Sequence, residues 1–388
     1  MTLTWEFGVD WDKDGVYTDE SARLTNLYVS RGRSRMYTEN GSQAFNTGVV
    51  TATLDNYDKR YDPYNTGGAL YSYLLPGRPF RLKVTESAVT HWVFGGWLLD
   101  PRPQGGIGST AVFNCTDGFH YLGMQKPTAI GPETDYVVSN AVNDLLNQAT
   151  WPFNNTTDTF SWTFTLTLGP AEIDNNGDTI DTFEIVAGTS TILDELRELA
   201  EAYGGSVFVN KSGGLVYRAR DTVRTTAATY TDSLVSSYIE QSMPWDQIFN
   251  EISVTKFGGS TPQTASDTTS QGEYGVSYFD LTTNSYIQTD AHALDYAGWL
   301  GMYLPELKRN LRFRVEDRFA YQFGVDLMDR VQVTIAALEI DDLYQIEQIE
   351  HNWDAGRGCV TTLRLSRDFI DVAGIQTYPF TFTLNLGW

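Results

Sequence analysis

Asp10, Asp12 and Asp14 alternate along the chain, Gly15 follows them, and Asp19 and Glu20 stand just beyond. Alternate carboxylates before a glycine converge on a hard cation such as calcium, and the glycine permits the sharp turn. The EF-hand form of such a loop closes with glutamate at its twelfth position, where this chain has Ser21. A full EF-hand is therefore excluded. A shorter calcium loop closed by Asp19 is one reading; a solvated acidic hairpin turn, with Asp and Gly acting only as turn formers, is the other. The run DNNGD from Asp174 to Asp178 reads as a turn.

No other constellation supports chemistry. His91, His120, His292 and His351 lack ligand spacing and a neighbouring cysteine, so no zinc site is implied. Glu347 and Glu350, like Asp341 and Asp342, are pairs among 49 acids and carry no glycosidase signal. Nucleophile-elbow, Walker and dinucleotide motifs do not occur. The chain reads as no enzyme and requires no cofactor; calcium is the one ion its pattern admits.

Charge and aromatics point to contacts instead. A net charge of −22 argues against binding DNA or anionic membranes, which need a positive surface, though it suits a wall past which DNA must slide. Arg31, Arg33 and Arg35 alternate and so share one face of an extended segment. Residues 321–355 hold eight acids against Arg330 alone, while Lys308, Arg309, Arg312, Arg314 and Arg318 lie just upstream. Opposed patches of this kind suit subunit complementarity, or are simply a solvated surface. Tyr57, Tyr61, Tyr64, Tyr71 and Tyr73 crowd one segment, as interface residues or as anchors for their own loop. Cys115 and Cys359 read as buried free thiols of a reducing compartment. The N-terminus has no signal-peptide pattern, and no apolar run is long enough to cross a bilayer.

The elements that would position these residues are mostly strands. Alternation predicts strands at 2–9, 22–29, 49–54, 79–84, 92–98 and 111–116, then again over 311–368. Val138, Ala141, Val142, Leu145 and Leu146 make a helical stripe. A second helix over 191–203 has Ser190 or Thr191 as cap and Gly204-Gly205 as stop, with a hairpin following at once. Asp290 is placed as the cap of a short helix to Leu304, and the small polar run 258–275 reads as a mobile loop or linker. The expected architecture is mainly β with an α+β middle: two tube-like antiparallel β-barrel domains (1–125 and 246–375) flank a helix-plus-hairpin domain (126–245), and an extended strand ends the chain (376–388).

Three segments carry a resemblance. LDNYDKRYDPYNTGGALYSYLLPGRPFR from Leu54 resembles the "LDN.D.RY.P" element leading into "L.PGRP" of tail hub and minor tail proteins of long-tailed bacteriophages. The helix and hairpin of 190–220 and the run DLMDRV…YQIEQIEHNWDAG are similar to other parts of the same family. That resemblance implies a structural hub at the virion tail tip or baseplate, made in the host cytoplasm. Its implied form is a homotrimer that caps the tail tube, conducts DNA through its lumen and serves host adsorption. The implied partners are the distal tail or tube protein, the tape measure protein and fibre or spike proteins, with no specific nucleic-acid binding and no membrane insertion.

GRPFRLKV…WVFGGWLLDP…TAVFNCT also overlays DRVQVTI…YQIEQIEHNW…CVTTLRL without gaps, Arg78 on Arg330 and Trp92 on Tyr344. A true repeat gives three copies six like units; the bland alternative is two meanders of ordinary likeness. Two other functions stay open: a distal tail protein forming a hexameric ring, and a calcium-dependent glycan-binding or glycan-cleaving β protein.

Overall fold

Twelve strands, labelled in chain order, carry the framework. The first six are β1 (Thr4–Val9), β2 (Leu24–Gly32), β3 (Asn46–Asp55), β4 (Arg78–Glu86), β5 (Val89–Gln104) and β6 (Thr110–Thr116). The second six are β7 (Thr226–Thr231), β8 (Ile239–Ser242), β9 (Asn310–Glu316), β10 (Arg330–Ile335), β11 (Ile340–Asp354) and β12 (Gly358–Arg367). Alternation explains them: Trp5, Phe7 and Val9 turn one face of β1 inward, as Val50, Ala52 and Leu54 do in β3. The computed structural model describes residues 3–33, 37–38, 41–42, 44–105, 109–150, 172–220, 222, 224–235, 238–306 and 309–367. Arg35 and the expected strand at 376–388 lie outside the described residues.

Pairing arranges the first six strands as β1-β4-β5-β6-β3-β2 and the second six as β7-β10-β11-β12-β9-β8. The permutation is the same. Finer details repeat as well. β5 bulges against β6 between Leu98 and Asp100, and β11 bulges against β12 between Ile346 and Gln348. Ahead of β4, Gly77 at φ 76° donates its N–H to the Leu98 carbonyl (2.7 Å); ahead of β10, Met328 at φ 62° does so to Ile346 (2.8 Å). One relation differs, because β1 runs antiparallel to β4 whereas β7 runs parallel to β10.

The gapless overlay of Arg78 on Arg330 and Trp92 on Tyr344 is corrected by this register. Arg330 pairs with Gln345, so its counterpart is Pro79, which pairs with Trp97. Tyr344 corresponds to Gly96, not Trp92, because the β4–β5 hairpin is longer than the β10–β11 hairpin.

The modules do not stand apart as closed barrels. β2 pairs antiparallel with β11, from Asn26 opposite Asp354 to Gly32 opposite Gln348, so both belong to one 13-stranded sheet. Among the described residues neither module closes on itself: the outer edge of β2 is taken by the other module, and β8 pairs only with β9. The protein is mainly β, with smaller sheets and a few helices around this frame.

Between the modules, helix α1 (Val138–Asn147) buries the five residues of its predicted stripe. Helix α2 (Ile192–Ala202) starts at Thr191, whose side chain and that of Asp194 form a reciprocal capping box. Its hairpin follows, with Val209 opposite Leu215. Thr226–Thr231 and Ile239–Ser242, expected in the middle unit, pair into the main sheet.

A second insertion holds helix α3 (Asp290–Tyr303), capped by Thr289 and not Asp290. The supposed linker at 258–275 instead contains a strand, Gln263–Ser266, and a helix, Thr268–Tyr274. Asn250, fully buried, organises it: its side chain bonds the Ser270 hydroxyl, the Gly275 carbonyl and the Ser277 N–H.

Candidate functional site

The acidic loop comes first. Single oxygens of Asp10, Asp12 and Asp14 lie within 4.8 Å of one another, close enough for one hard cation. Asp19 is not in that group; its carboxylate accepts the Ser21 N–H at 2.9 Å. Asp10 is buried and accepts the N–H groups of Asp14 (3.2 Å) and Gly15 (2.9 Å). Burial pushes its carboxyl above the usual carboxylate range, and those backbone donors pull it partly back. Lys13 (φ 64°) and Gly15 (φ 89°) supply the left-handed backbone of the turn. The loop thus satisfies itself by side-chain-to-backbone bonds, whichever of the two readings of its carboxylates holds.

Glu20, placed by sequence at the edge of that loop, does something else. It is buried, and its carboxylate accepts Trp11 Nε1 (3.0 Å), the Tyr61 hydroxyl (2.7 Å) and the Arg60 guanidinium (2.6 Å). Tyr61 is fully buried, packs edge-on against Phe113 at 5.0 Å, and donates its backbone N–H to Asn56 Oδ1 at 2.9 Å. Arg23 pairs with Asp58 at 2.6 Å on the rim. These contacts bind the 54–81 segment to the first module. Tyr61 is therefore an internal anchor and is withdrawn from the interface set; Tyr57, Tyr64, Tyr71 and Tyr73 remain on the surface, at 74%, 88%, 46% and 38% exposure.

Arg31 and Arg33 are corrected in the same way. Both are buried and pair with the second module, Arg31 with Asp326 in the turn ahead of β10 at 2.7 Å and Arg33 with Glu347 of β11 at 2.6 Å. The Ser366 hydroxyl donates to Glu347 at 2.6 Å, and the Arg33 guanidinium lies 4.3 Å from the Phe45 ring centroid. Alternation put the arginines on one face correctly, but that face meets the other module of the same chain. Their partners lie 295 and 314 residues away, beyond any local spacing. Around the seam, burial lowers the His351 pKa to about 3, with Arg31 and Lys211 adding to the effect. Burial raises Asp117 to about 7 and Asp329 to about 6. The pairs of this seam bond the chain to itself.

No protein-family model and no curated protein matches the chain. Solved structures do. A tail protein from Neisseria meningitidis MC58 superposes with TM-score 0.63 at 15% identity, over 94% of this chain and 97% of that one. The 43 kDa tail protein of prophage MuSo2 from Shewanella oneidensis gives 0.58 at 14% identity, over 94% and 98%. This chain has the fold of a phage tail protein. Prophage tail protein gp18 from Listeria monocytogenes EGD-e shares it as well, with TM-score 0.53 at 12% identity over 92% and 94%. At such identities the likeness speaks for backbone architecture, which here spans nearly the whole of each chain.

Proposed function

We propose that this protein is a structural, non-enzymatic component of a phage tail tip or baseplate. In this reading three copies form a hub that caps the tail tube, conducts DNA through its lumen and carries the attachments used in host adsorption. The observation that carries it is one six-strand order occurring twice in a chain with a tail-protein fold. Two like modules per chain allow three copies to meet a sixfold tube with six similar units, which one module per chain would not. The net charge of −22 fits a passage that must not hold phosphates.

The partners of such a hub are its own copies, the distal tail or tube protein, the tape measure protein and fibre or spike proteins. No helix among the described residues is long and apolar enough to cross a membrane. Light scattering on the purified chain, with symmetry from electron microscopy, tests the proposal: the expected particle is a ring of three chains with six lobes. A ring of six chains would reassign the protein to a distal tail collar, and a monomer at every concentration would remove both.

A further inference from the structure

The internal repeat locates a second seam that a single chain cannot complete. Within the chain, β2, the last strand of the first module, lies along β11 of the second. The equivalent last strand of the second module is β8, and the equivalent of β11 is β5. Among the described residues β8 pairs only with β9, and β5 beyond Leu98 pairs only with β6. One chain therefore offers both halves of a repeated seam, on edges that no strand among the described residues pairs with.

Equivalent residues follow from the ladders. Val29 lies across from Val50 and that from Cys115, as Gln241 lies across from Leu311 and that from Leu365. Counted on past the end of β8, beyond which no ladder runs, Arg31 falls at Met243 and Arg33 at Trp245, which opens a 3-10 turn just after the strand. From the shared bulge, Glu347 corresponds to Leu99; from the shared left-handed turn, Asp326 corresponds to Leu75.

The substitution pattern is consistent at all four places. Where the internal seam has Arg31–Asp326 and Arg33–Glu347, the open edges have Met243 with Leu75 and Trp245 with Leu99. Met243, Leu75 and Trp245 are 51%, 53% and 72% exposed, high for apolar side chains of their size. Tyr28, which bonds Glu350 at 3.2 Å at the internal seam, corresponds to Glu240, and Glu350 corresponds to Arg102; these two carry opposite charges, each paired within the chain, to Arg312 and to Asp100.

We propose that these edges join two copies of this chain head to tail, Met243 and Trp245 of one copy packing on Leu75 and Leu99 of the next. Apolar anchors suit a contact formed when separate copies meet, because they gain by leaving water without needing a partner already in place. The backbone contributes less than it does inside. Pro101 and Pro103 stand where Ile349 and His351 face β2, and proline has no N–H to give. The side chains therefore carry the seam.

This inference rests on the hub reading for its biological sense but fails separately from it. The test mixes two full-length variants, Leu99→Cys and Trp245→Cys, under mild oxidation; the native cysteines are buried. A disulfide-linked pair is expected from the mixture and not from either variant alone. Trp245→Glu should weaken self-association roughly thirty-fold or more, the effect of losing a central aromatic anchor, with an unchanged unfolding midpoint. A three-copy ring that persists in Trp245→Glu and gives no mixed disulfide keeps the hub and overturns the seam. Mixed disulfides in an open chain of copies keep the seam and overturn the three-copy hub. A wild type that neither associates nor cross-links overturns the seam outright.

Discussion

Glu20 shows how one carboxylate can organise a loop of nearly thirty residues. Its oxygens satisfy an indole, a phenol and a guanidinium, two of them on the 54–81 segment. Glu20→Ala leaves all three without an acceptor, two of them in buried surroundings, and should lower stability by about 3 kcal/mol in a urea titration. Two further residues make opposite pH signatures. His351 is held neutral, with its pKa near 3 against an ordinary 6.5, so its contribution is present above pH 6.5 and lost as pH falls toward 3. His351→Gln should therefore gain on wild type progressively over that acid range. Asp117 is raised to about 7 from 3.8, so ionising it opposes folding, and stability drains as pH climbs from 3.8 to 7. Asp117→Asn should gain on wild type in that direction, by at most about 1.4 kcal/mol per pH unit. Urea midpoints of both variants across pH 3 to 7.5 check the two signs together; parallel curves would refute them. At this scale the sequence disclosed residue types but not partners. Tyr57 and Tyr61 look alike in the sequence, yet one is solvent-exposed and the other buried, because only Tyr61 reaches the Glu20 pocket.

Elements were more legible, and their failures are specific. The α1 stripe and the Thr191 cap follow from spacing and short-range bonding, both of which are written locally. Hairpin length was not readable: Ser87 and Ala88 turn β4 into β5 at φ 47° and 70° without the Asn-Gly pair that usually marks such a turn, whereas a 3-10 turn at Ala336–Leu338 serves β10 and β11. That difference displaced the repeat overlay. The segment at 258–275 looked like a linker because its residues are small and polar, but Asn250 holds it from a distance. The seam between modules depends on close approach. Gly32 sits at φ 121°, and a β-carbon there would lie 2.2 Å from the Glu347 carbonyl oxygen. Gly32→Ala should cost about 3 kcal/mol through strain and separation of β2 from β11. Arg33→Met should be similarly damaging, since it strands a buried Glu347, while Arg33→Met with Glu347→Leu should recover most of the loss. Thermal unfolding of the single and double variants measures the coupling.

For the whole molecule, duplication is the governing fact. The same strand order, bulge and left-handed turn recur with almost no shared residues, so what is repeated is the backbone plan. At the internal seam the side chains form ion pairs, whereas at the edges proposed to meet between copies they are apolar. Acidity belongs to this scale too: with a net charge of −22, the protein should leave duplex DNA unretarded in a gel at moderate salt, and retention there would speak against a passage.

The pair Pro101 and Pro103 has a further consequence. A bare strand margin is an invitation to fibrils, and a cell producing many copies would normally have to shield it. Here Pro101 and Pro103 have no N–H to give along that margin, so a stray strand pairs with it only weakly. Newly made subunits are therefore matched at this margin by their side chains and not by indiscriminate strand pairing. Replacing both prolines with threonine should bring turbidity at concentrations where the native chain stays clear.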